Sequence, residues 1–434
     1  MNRREFVKTG LCAAVAASYP ELFAQALAGH AENLKGVAKA LSPLEQELMK
    51  DTLAKFDAVN PIDAKTGRRK FISFGFITDL HKCKRIEGDD ARKNTKKDYW
   101  YDSAGVLTVD DPSIRLLGAV AKEADLDAVI NGGDMSTAPT AVPLGEKAYI
   151  DEIANVKALF DAYLPKSVPL FTVDGNHERR YKSLMNMSDE TWRAVQRSFN
   201  TSAADAKKAK DIDVTYHRDL PHPTLGRDEQ GTYAGNTFNL DFRRLYKEKG
   251  YNVRLVCLSE YDRCPGASVN LRGYDATNFY DPATQKPVDP ERTAENTIVG
   301  FTGHNACRDT EMLGGGYLSA GSRRGGSTCN VPFKWNLGTH KGMGCFGMVA
   351  GHAHQTIVKP YKGFDAACVQ VTRCYTTYRT RNGKGEESET KGAYRFSLFV
   401  LDTDSNKMKE IRLAGEGPVV SETGIARADT PRCL

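Results

Sequence analysis

Phe71-Ile72-Ser73-Phe74-Gly75-Phe76-Ile77-Thr78-Asp79-Leu80-His81 decides how this chain is read: an apolar, aromatic-rich run of strand length stops on a carboxylate and an imidazole. Strands ordinarily give way to turn formers such as Gly, Asn, Asp or Pro. On an extended chain residues i and i+2 share a face, so Asp79 and His81 are placed to point at one metal ion. Similar endings recur downstream. Leu126-Asp127-Ala128-Val129-Ile130-Asn131 is a second short strand running into Gly132-Gly133-Asp134. Val168-Pro169-Leu170-Phe171-Thr172-Val173 is a third, followed by Gly175-Asn176-His177-Glu178. A strand beginning at Gly347 and reaching Ala350 leads to Gly351-His352-Ala353-His354, where the i, i+2 spacing returns.

Helical patterns separate these strands. Ser42-Pro43-Leu44-Glu45 is a capping box with proline at the first helical position, and it predicts an amphipathic helix over 43–58 that Asn60-Pro61 stops. Residues 112–124 and 146–163 are helical by spacing, the latter through Tyr149, Ile153, Val156, Leu159 and Phe160. Further strands are expected at Tyr251–Leu258 and Thr297–Thr302, with a closing hairpin of Phe396–Asp402 and Met408–Leu413. Strand and helix in alternation argue for α/β layering. The expected organisation is a leader over 1–28, a helical leader over 29–70, one large domain over 71–413 and a C-terminal tail over 414–434. Charged or polar insertions fall at about 82–111 and 181–235, the second with a helix near Asp189–Phe199.

Composition narrows the class without naming a partner. The 434 residues are 40% hydrophobic and 26% charged, as soluble globular chains are, which excludes collagen, disorder and a disulfide miniprotein. A net charge of +5 makes no strong case for nucleic acid or an anionic membrane. The ten cysteines include no C-x-x-C pair, so neither a zinc ribbon nor a thioredoxin-type site has support.

The N-terminus, Met1-Asn2-Arg3-Arg4-Glu5-Phe6-Val7-Lys8, is followed by a weakly apolar stretch over Gly10–Ala17 and by Ala26-Leu27-Ala28-Gly29. It resembles a twin-arginine export signal with a small-x-small cleavage site after Ala28, although Asn2 and Val7 depart from the usual pattern. The resemblance implies the twin-arginine export machinery as a partner and a periplasmic or otherwise exported location. No run approaches the roughly 18 apolar residues of a membrane span, so no transmembrane segment is expected in the mature chain.

Each ligand-type fragment alone has a plain structural explanation: a cap, a Gly-Asp turn, a satisfied loop histidine. Together and in order, each after an apolar strand, they point to a metal site. The series Asp79-x-His81, Gly133-Asp134, Gly175-Asn176-His177-Glu178, His304, Gly351-His352-x-His354 resembles the calcineurin-like metallophosphoesterase superfamily over about Phe71 to Leu413. The resemblance implies a four-layer α/β/β/α sandwich with a two-metal site at the strand ends. It also implies that Asp79, His81 and His354 bind one metal, that Asn176, His304 and His352 bind the other, that Asp134 bridges both, and that His177 lies near the leaving group.

Mixed oxygen and imidazole ligands suit two divalent ions such as Mn, Fe or Zn rather than calcium. Asn176 would add a neutral oxygen that leaves the metals good Lewis acids. A hydroxide bridging them would attack phosphorus in line, and His177 would protonate the leaving oxygen of a small phosphoester substrate. His340, only twelve residues before His352, is the rival to His304 as the fourth ligand element. One departure stands out: the family often carries an acidic residue three places after the bridging aspartate, to orient the catalytic histidine, and Thr137 stands there. The alternative it raises is a catalytically weak or silent metal-binding domain acting as a binding or scaffold protein. Arg179, Arg180, Ser322-Arg323-Arg324-Gly325-Gly326 and Tyr99-Trp100-Tyr101 are candidate substrate contacts whose simpler explanation is surface loop or packing.

Overall fold

The computed structural model describes residues 21–35, 40–81, 111–136, 145–175, 177–178, 189–216, 236–258, 284, 286–304, 317–318, 331–332, 344–352, 354, 356–360, 366–371, 377–381, 387–391, 394–414 and 417–426. In chain order the helices following the leader are α1 (Pro43–Val59), α2 (Pro112–Ala124), α3 (Gly145–Tyr163), α4 (Asp189–Phe199), α5 (Ala203–Lys210) and α6 (Arg244–Lys249). The strands are β1 (Ser73–Ile77), β2 (Ala128–Asn131), β3 (Leu170–Thr172), β4 (Ile212–Tyr216), β5 (Phe238–Phe242), β6 (Asn252–Cys257), β7 (Thr297–Gly303), β8 (Tyr317–Leu318) and β9 (Val331–Pro332), then β10 (Gly344–Ala350), β11 (Ile357–Pro360), β12 (Ala367–Gln370), β13 (Thr377–Arg381), β14 (Glu387–Lys391), β15 (Arg395–Asp402), β16 (Lys407–Ala414) and β17 (Pro418–Gly424). Among the described residues no helix is long and apolar enough to cross a membrane.

Two sheets carry the fold. The first is six-stranded in the order β17-β16-β15-β1-β2-β3; the second is seven-stranded in the order β11-β12-β10-β7-β6-β5-β4. β1, β2 and β3 are mutually parallel neighbours, so their carboxyl ends line one edge. β6, β7 and β10 do the same in the second sheet. Parallel neighbours need crossovers, and in the first sheet α2 joins β1 to β2 and α3 joins β2 to β3.

β1 is buried along its whole length because both faces of its sheet are covered, which is why its sequence is a continuous apolar run rather than an alternating one. On one side Phe74, Phe76, Ile130 and Phe171 meet Leu240, Val253, Leu255 and Phe346 of the second sheet. On the other, Ile77, Val129 and Leu398 pack with Phe56 of α1, Leu117 of α2 and Leu159 of α3. The α/β layering expected from the alternation, and the sandwich implied by the resemblance, are thus built. Across the second sheet the outward side chains Val256, Val299, Phe301 and Met348 are also buried, while the short α5 and α6 send Ala206 and Leu245 into the core between the two sheets.

Local signals explain the helix ends. The α1 capping box forms as expected: Glu45 N donates to Ser42 Oγ at 3.3 Å and Ser42 N donates to Glu45 Oε2 at 2.7 Å. The same Glu45 is buried and takes Arg115 Nη2 at 2.6 Å, which ties α1 to α2. Asp111 caps α2 by accepting from Ser113 N and Ile114 N.

Three stretches read as peripheral join the body. Within 181–235, β4 is the edge strand of the second sheet and pairs antiparallel with β5. In the tail, β17 extends the first sheet, and Ala426 exchanges backbone hydrogen bonds with Cys345 at the start of β10. In the leader, residues 21–34 form a helix that runs across Ala28, with Phe23 and Leu34 buried in the same core as Leu48 and Phe56. Edge strands bury little and carry polar side chains, so β4 and β17 lack the apolar runs that announce central strands.

Cys257 and Cys345 are buried free thiols whose pKa burial pushes up, Cys345 to about 12, so they pack as small apolar groups.

Candidate metal centre

The carboxyl edges of the two sheets converge. Asp79 and His81 follow β1, Asp134 follows β2, His177 follows β3, His304 follows β7, and His352 and His354 follow β10. All seven side chains meet in overlapping groups: Asp79, His81 and His354; His81, Asp134 and His177; Asp134, His304 and His352, with the ligand atoms of each group within 4.8 Å of one another. Asn176 lies outside the described residues, as do Thr137, His340, Arg179, Arg180, the glycine-rich stretch 322–326 and Tyr99–Tyr101.

The backbone that aims these groups differs from the extended geometry expected of them. Asp79 (φ 56°), His81 (φ 45°), Asp134 (φ 50°), His352 (φ 67°) and His354 (φ 55°) are all left-handed. Each such non-glycine residue costs roughly 1–3 kcal/mol and persists only where its surroundings over-determine it. Asp79 and His81 therefore share a site through repeated left-handed turns, not through the pleat of a strand. The segment is held by a continuation of the ladder between β1 and β2: Gly132 N donates to Ile77 O at 2.8 Å, Asp79 N to Gly133 O at 3.0 Å and His81 N to Asp134 O at 2.9 Å.

Cross-ties then lock the two edges together. Asp79 Oδ2 accepts from Thr78 Oγ1 at 2.8 Å and, from the second sheet, from His352 N at 3.0 Å. That approach needs Gly351: a Cβ there would stand 2.1 Å from Thr78 Oγ1 and 2.6 Å from Asp79 Oδ2. His304 Nδ1 lies 2.8 Å from Gly132 O, which assigns its proton to Nδ1 and turns Nε2 inward, 3.1 Å from Asp134 Oδ2.

Imidazole nitrogens face imidazole nitrogens. His81 Nε2 is 3.2 Å from His354 Nε2, and His304 Nε2 is 3.2 Å from His352 Nδ1. His354 Nε2 is also 3.1 Å from Asp79 Oδ1, while Asp134 Oδ2 stands 3.7 Å from His81 Nε2 and 3.8 Å from His177 Nε2. Ligands about 2.0–2.1 Å from a tetrahedral metal lie roughly 3.3 Å apart, so these spacings are those of donors converging on a cation. The residues present fit divalent ions bound by carboxylate oxygen and imidazole.

Electrostatics agree. Burial raises the Asp79 carboxyl but is overcome by the His304 charge and by hydrogen bonds from His354 and His81, which hold it well below the usual range. Asp134 is likewise held down against burial by His304 and His177. Burial and then the His304 charge push His352 down to about 4, so it is a neutral imidazole with a lone pair to give. Both carboxylates are ionised and ready for a cation.

Residues 72–262 match the family model for the calcineurin-like phosphoesterases. The matched stretch takes in Asp79, His81, Asp134 and His177 and ends before His304, His352 and His354. The matched domain and the ligand cluster together mark the chain as a metal-dependent hydrolase of phosphoester bonds. No curated protein matches the sequence. Among solved structures, a dimetal phosphatase from Danio rerio is similar at 13% identity over 81% of this chain and 98% of that one, with a TM-score of 0.38, a score that bears on neither fold nor activity.

Sequence reasoning quoted Glu178 within Gly175-Asn176-His177-Glu178 but gave it no role. Fully buried, it accepts from Asp134 N and Gly175 N at 2.8 Å each through Oε2, and from Ser136 N at 3.0 Å and Ser136 Oγ at 3.2 Å through Oε1. Burial and then the Asp134 charge push its carboxyl up to about 7, against the Ser136 and Gly175 hydrogen bonds. The available signal was chemical: an acidic side chain close behind an apolar strand, at a buried strand end, has to find partners.

Proposed function

We propose that this is an exported, dinuclear metal-dependent phosphoesterase that hydrolyses small phosphomonoesters or phosphodiesters. The observation that carries the reading is the overlap of ligand groups on Asp134, which belongs to two of them and so joins the Asp79–His81–His354 side of the site to the His304–His352 side. Asp79, His81 and His354 would hold one ion, and His304 and His352, with Asn176 by resemblance, the other. Asp134 would touch both. Bound Mn, Fe or Zn would supply Lewis acidity toward phosphate oxygens and toward water.

The chain's own residues do the rest. Asp134 Oδ1 accepts from His177 N at 2.8 Å, which seats the His177 backbone against the bridging carboxylate. The His177 ring then stands edge-on to His81, with centroids 4.7 Å apart. From there His177 delivers a proton to the leaving oxygen, the step that matters most for a poor leaving group. The Gly351 backbone approach and the His352 N bond to Asp79 keep the ligand loops packed before substrate arrives.

Location rests on the paired arginines, the apolar stretch and the small-x-small site, and substrate size on the near-balanced charge. Metal analysis of purified protein, with p-nitrophenyl phosphate and bis-p-nitrophenyl phosphate assayed in Mn, Fe, Zn and Co in turn, tests the reaction. Two ions per chain with turnover of either ester is expected. Two ions without turnover on these or a broader phosphoester panel would instead make the chain a binding or scaffold protein. Cell fractionation of wild type against Arg3→Lys/Arg4→Lys tests export, and equal export of both would remove the twin-arginine route.

A further inference from the structure

We propose that Glu178 is a positioning residue: a carboxylate that sets the metal-bridging Asp134 by clamping the loop after β2 to the loop after β3. The inference rests on the phosphoesterase reading above and deepens it. Four hydrogen bonds converge on this one side chain, from both loops. Oε2 takes the amides of Asp134 and Gly175, residues of two different loops, on a single oxygen. Oε1 takes the amide and hydroxyl of Ser136.

The clamp holds a strained backbone. Asp134 is left-handed at φ 50°, and its own amide is one of the groups that Glu178 binds. With the amide held, Asp134 Oδ1 takes His177 N at 2.8 Å and Oδ2 faces His304 at 3.1 Å. The loops interlock so closely that a Cβ on Gly175 would lie 2.1 Å from Asp134 N and 2.5 Å from Glu178 Oε2. Glu178 thus acts on the site through the main chain of both loops, at Asp134 and at Gly175, rather than on an imidazole. The acidic residue expected three places after Asp134 is replaced by Thr137; the acid of this site stands on the neighbouring loop.

A glutamine cannot substitute. Its single carbonyl oxygen can serve one pair of donors, and its amide then presents N–H groups to the backbone N–H of Ser136. Outer partners of metal ligands typically contribute 10- to 100-fold in affinity or activity, so Glu178→Gln is expected to weaken Mn binding and kcat by about that factor, with KM little changed. Chelator competition measures the affinity. The visible absorption of the cobalt-loaded protein reports whether the coordination of the ions has shifted, which a general loss of stability would not alter. Wild type is run alongside: a wild-type protein that binds no divalent ion overturns the phosphoesterase reading itself. If wild type binds and Glu178→Gln matches it in affinity, kcat and cobalt spectrum, the positioning role is overturned. Should Glu178→Gln fail to fold by circular dichroism, Glu178→Asp takes its place. It keeps the charge and shortens the reach, and an unchanged affinity and spectrum there overturn the role equally.

Discussion

The two sheet edges that build the site are chemically unlike. The edge after β1, β2 and β3 carries the carboxylates Asp79, Asp134, Asp174 and Glu178, together with His81 and His177; among the described residues the edge after β7 and β10 brings only imidazoles to the site, His304, His352 and His354. The first edge is tied down by the ladder from Ile77 to Asp134 and by Glu178. The second hangs on the first: His304 Nδ1 lies against Gly132 O, and His352 N donates to Asp79 Oδ2. Carboxylates and rigidity therefore sit on one sheet and imidazoles on the other. A carboxylate shared by two cations gains most where its backbone cannot move, and Asp134 is on the rigid side.

The largest expected effect comes from removing the shared group. Asp134→Ala should abolish binding of both ions and reduce turnover to background, read by metal analysis and the ester assays; full activity would refute the site. It also frees His177 N and the Oδ2-facing imidazoles at once. Next is His177→Ala, which should keep both ions while slowing esters with poor leaving groups by about 10²–10⁴-fold, p-nitrophenyl esters far less. Equal turnover on alkyl phosphates would defeat the proton-donor role.

The smallest effect probes the acid against the imidazole directly, in metal-free protein. Glu178, raised from 4.5 to about 7, binds a proton more tightly when folded, so stability falls as pH rises through that interval. His352, lowered from 6.5 to about 4, resists protonation when folded, so stability falls as pH drops through its interval. The two oppose each other between 4.5 and 6.5, each by up to about 3 kcal/mol on a shift of this size. Urea denaturation with chelator present should therefore show a shallow profile there and a fall below about 4, where Asp79 and Asp134 of the unfolded chain take up protons that the folded carboxylates resist. A steep slope across the interval would show that the two edges do not balance.

Much of this was legible because central strands and their endings are local. The Phe71–Thr78 run, the α1 capping box and the order of Asp79, Asp134, His177, His304, His352 and His354 each announce themselves within a few residues. The left-handed turns were not legible. Asp and His adopt that conformation more readily than most residues but do not announce it, and here it is held by main-chain hydrogen bonds between the loops after β1, β2 and β3. Glu178 was in view but silent, since its partners are main-chain amides, which leave no residue-type trace. β4 and β17 escaped because edge strands need no apolar run.

The helix over residues 21–34 gives the expected export a clock. The proposed cut after Ala28 falls inside it, between the buried Phe23 and Leu34. The twin-arginine route that the N-terminus resembles carries folded cargo, so a peptidase would meet this helix already docked. Proteases act on the opened chain, and opening here withdraws Phe23 at roughly 1.5–3 kcal/mol for a large apolar side chain. The first residue of the mature protein, read by N-terminal sequencing, then dates cutting against docking: Gly29 if the peptidase reaches an undocked helix, a residue ahead of Phe23 if packing comes first.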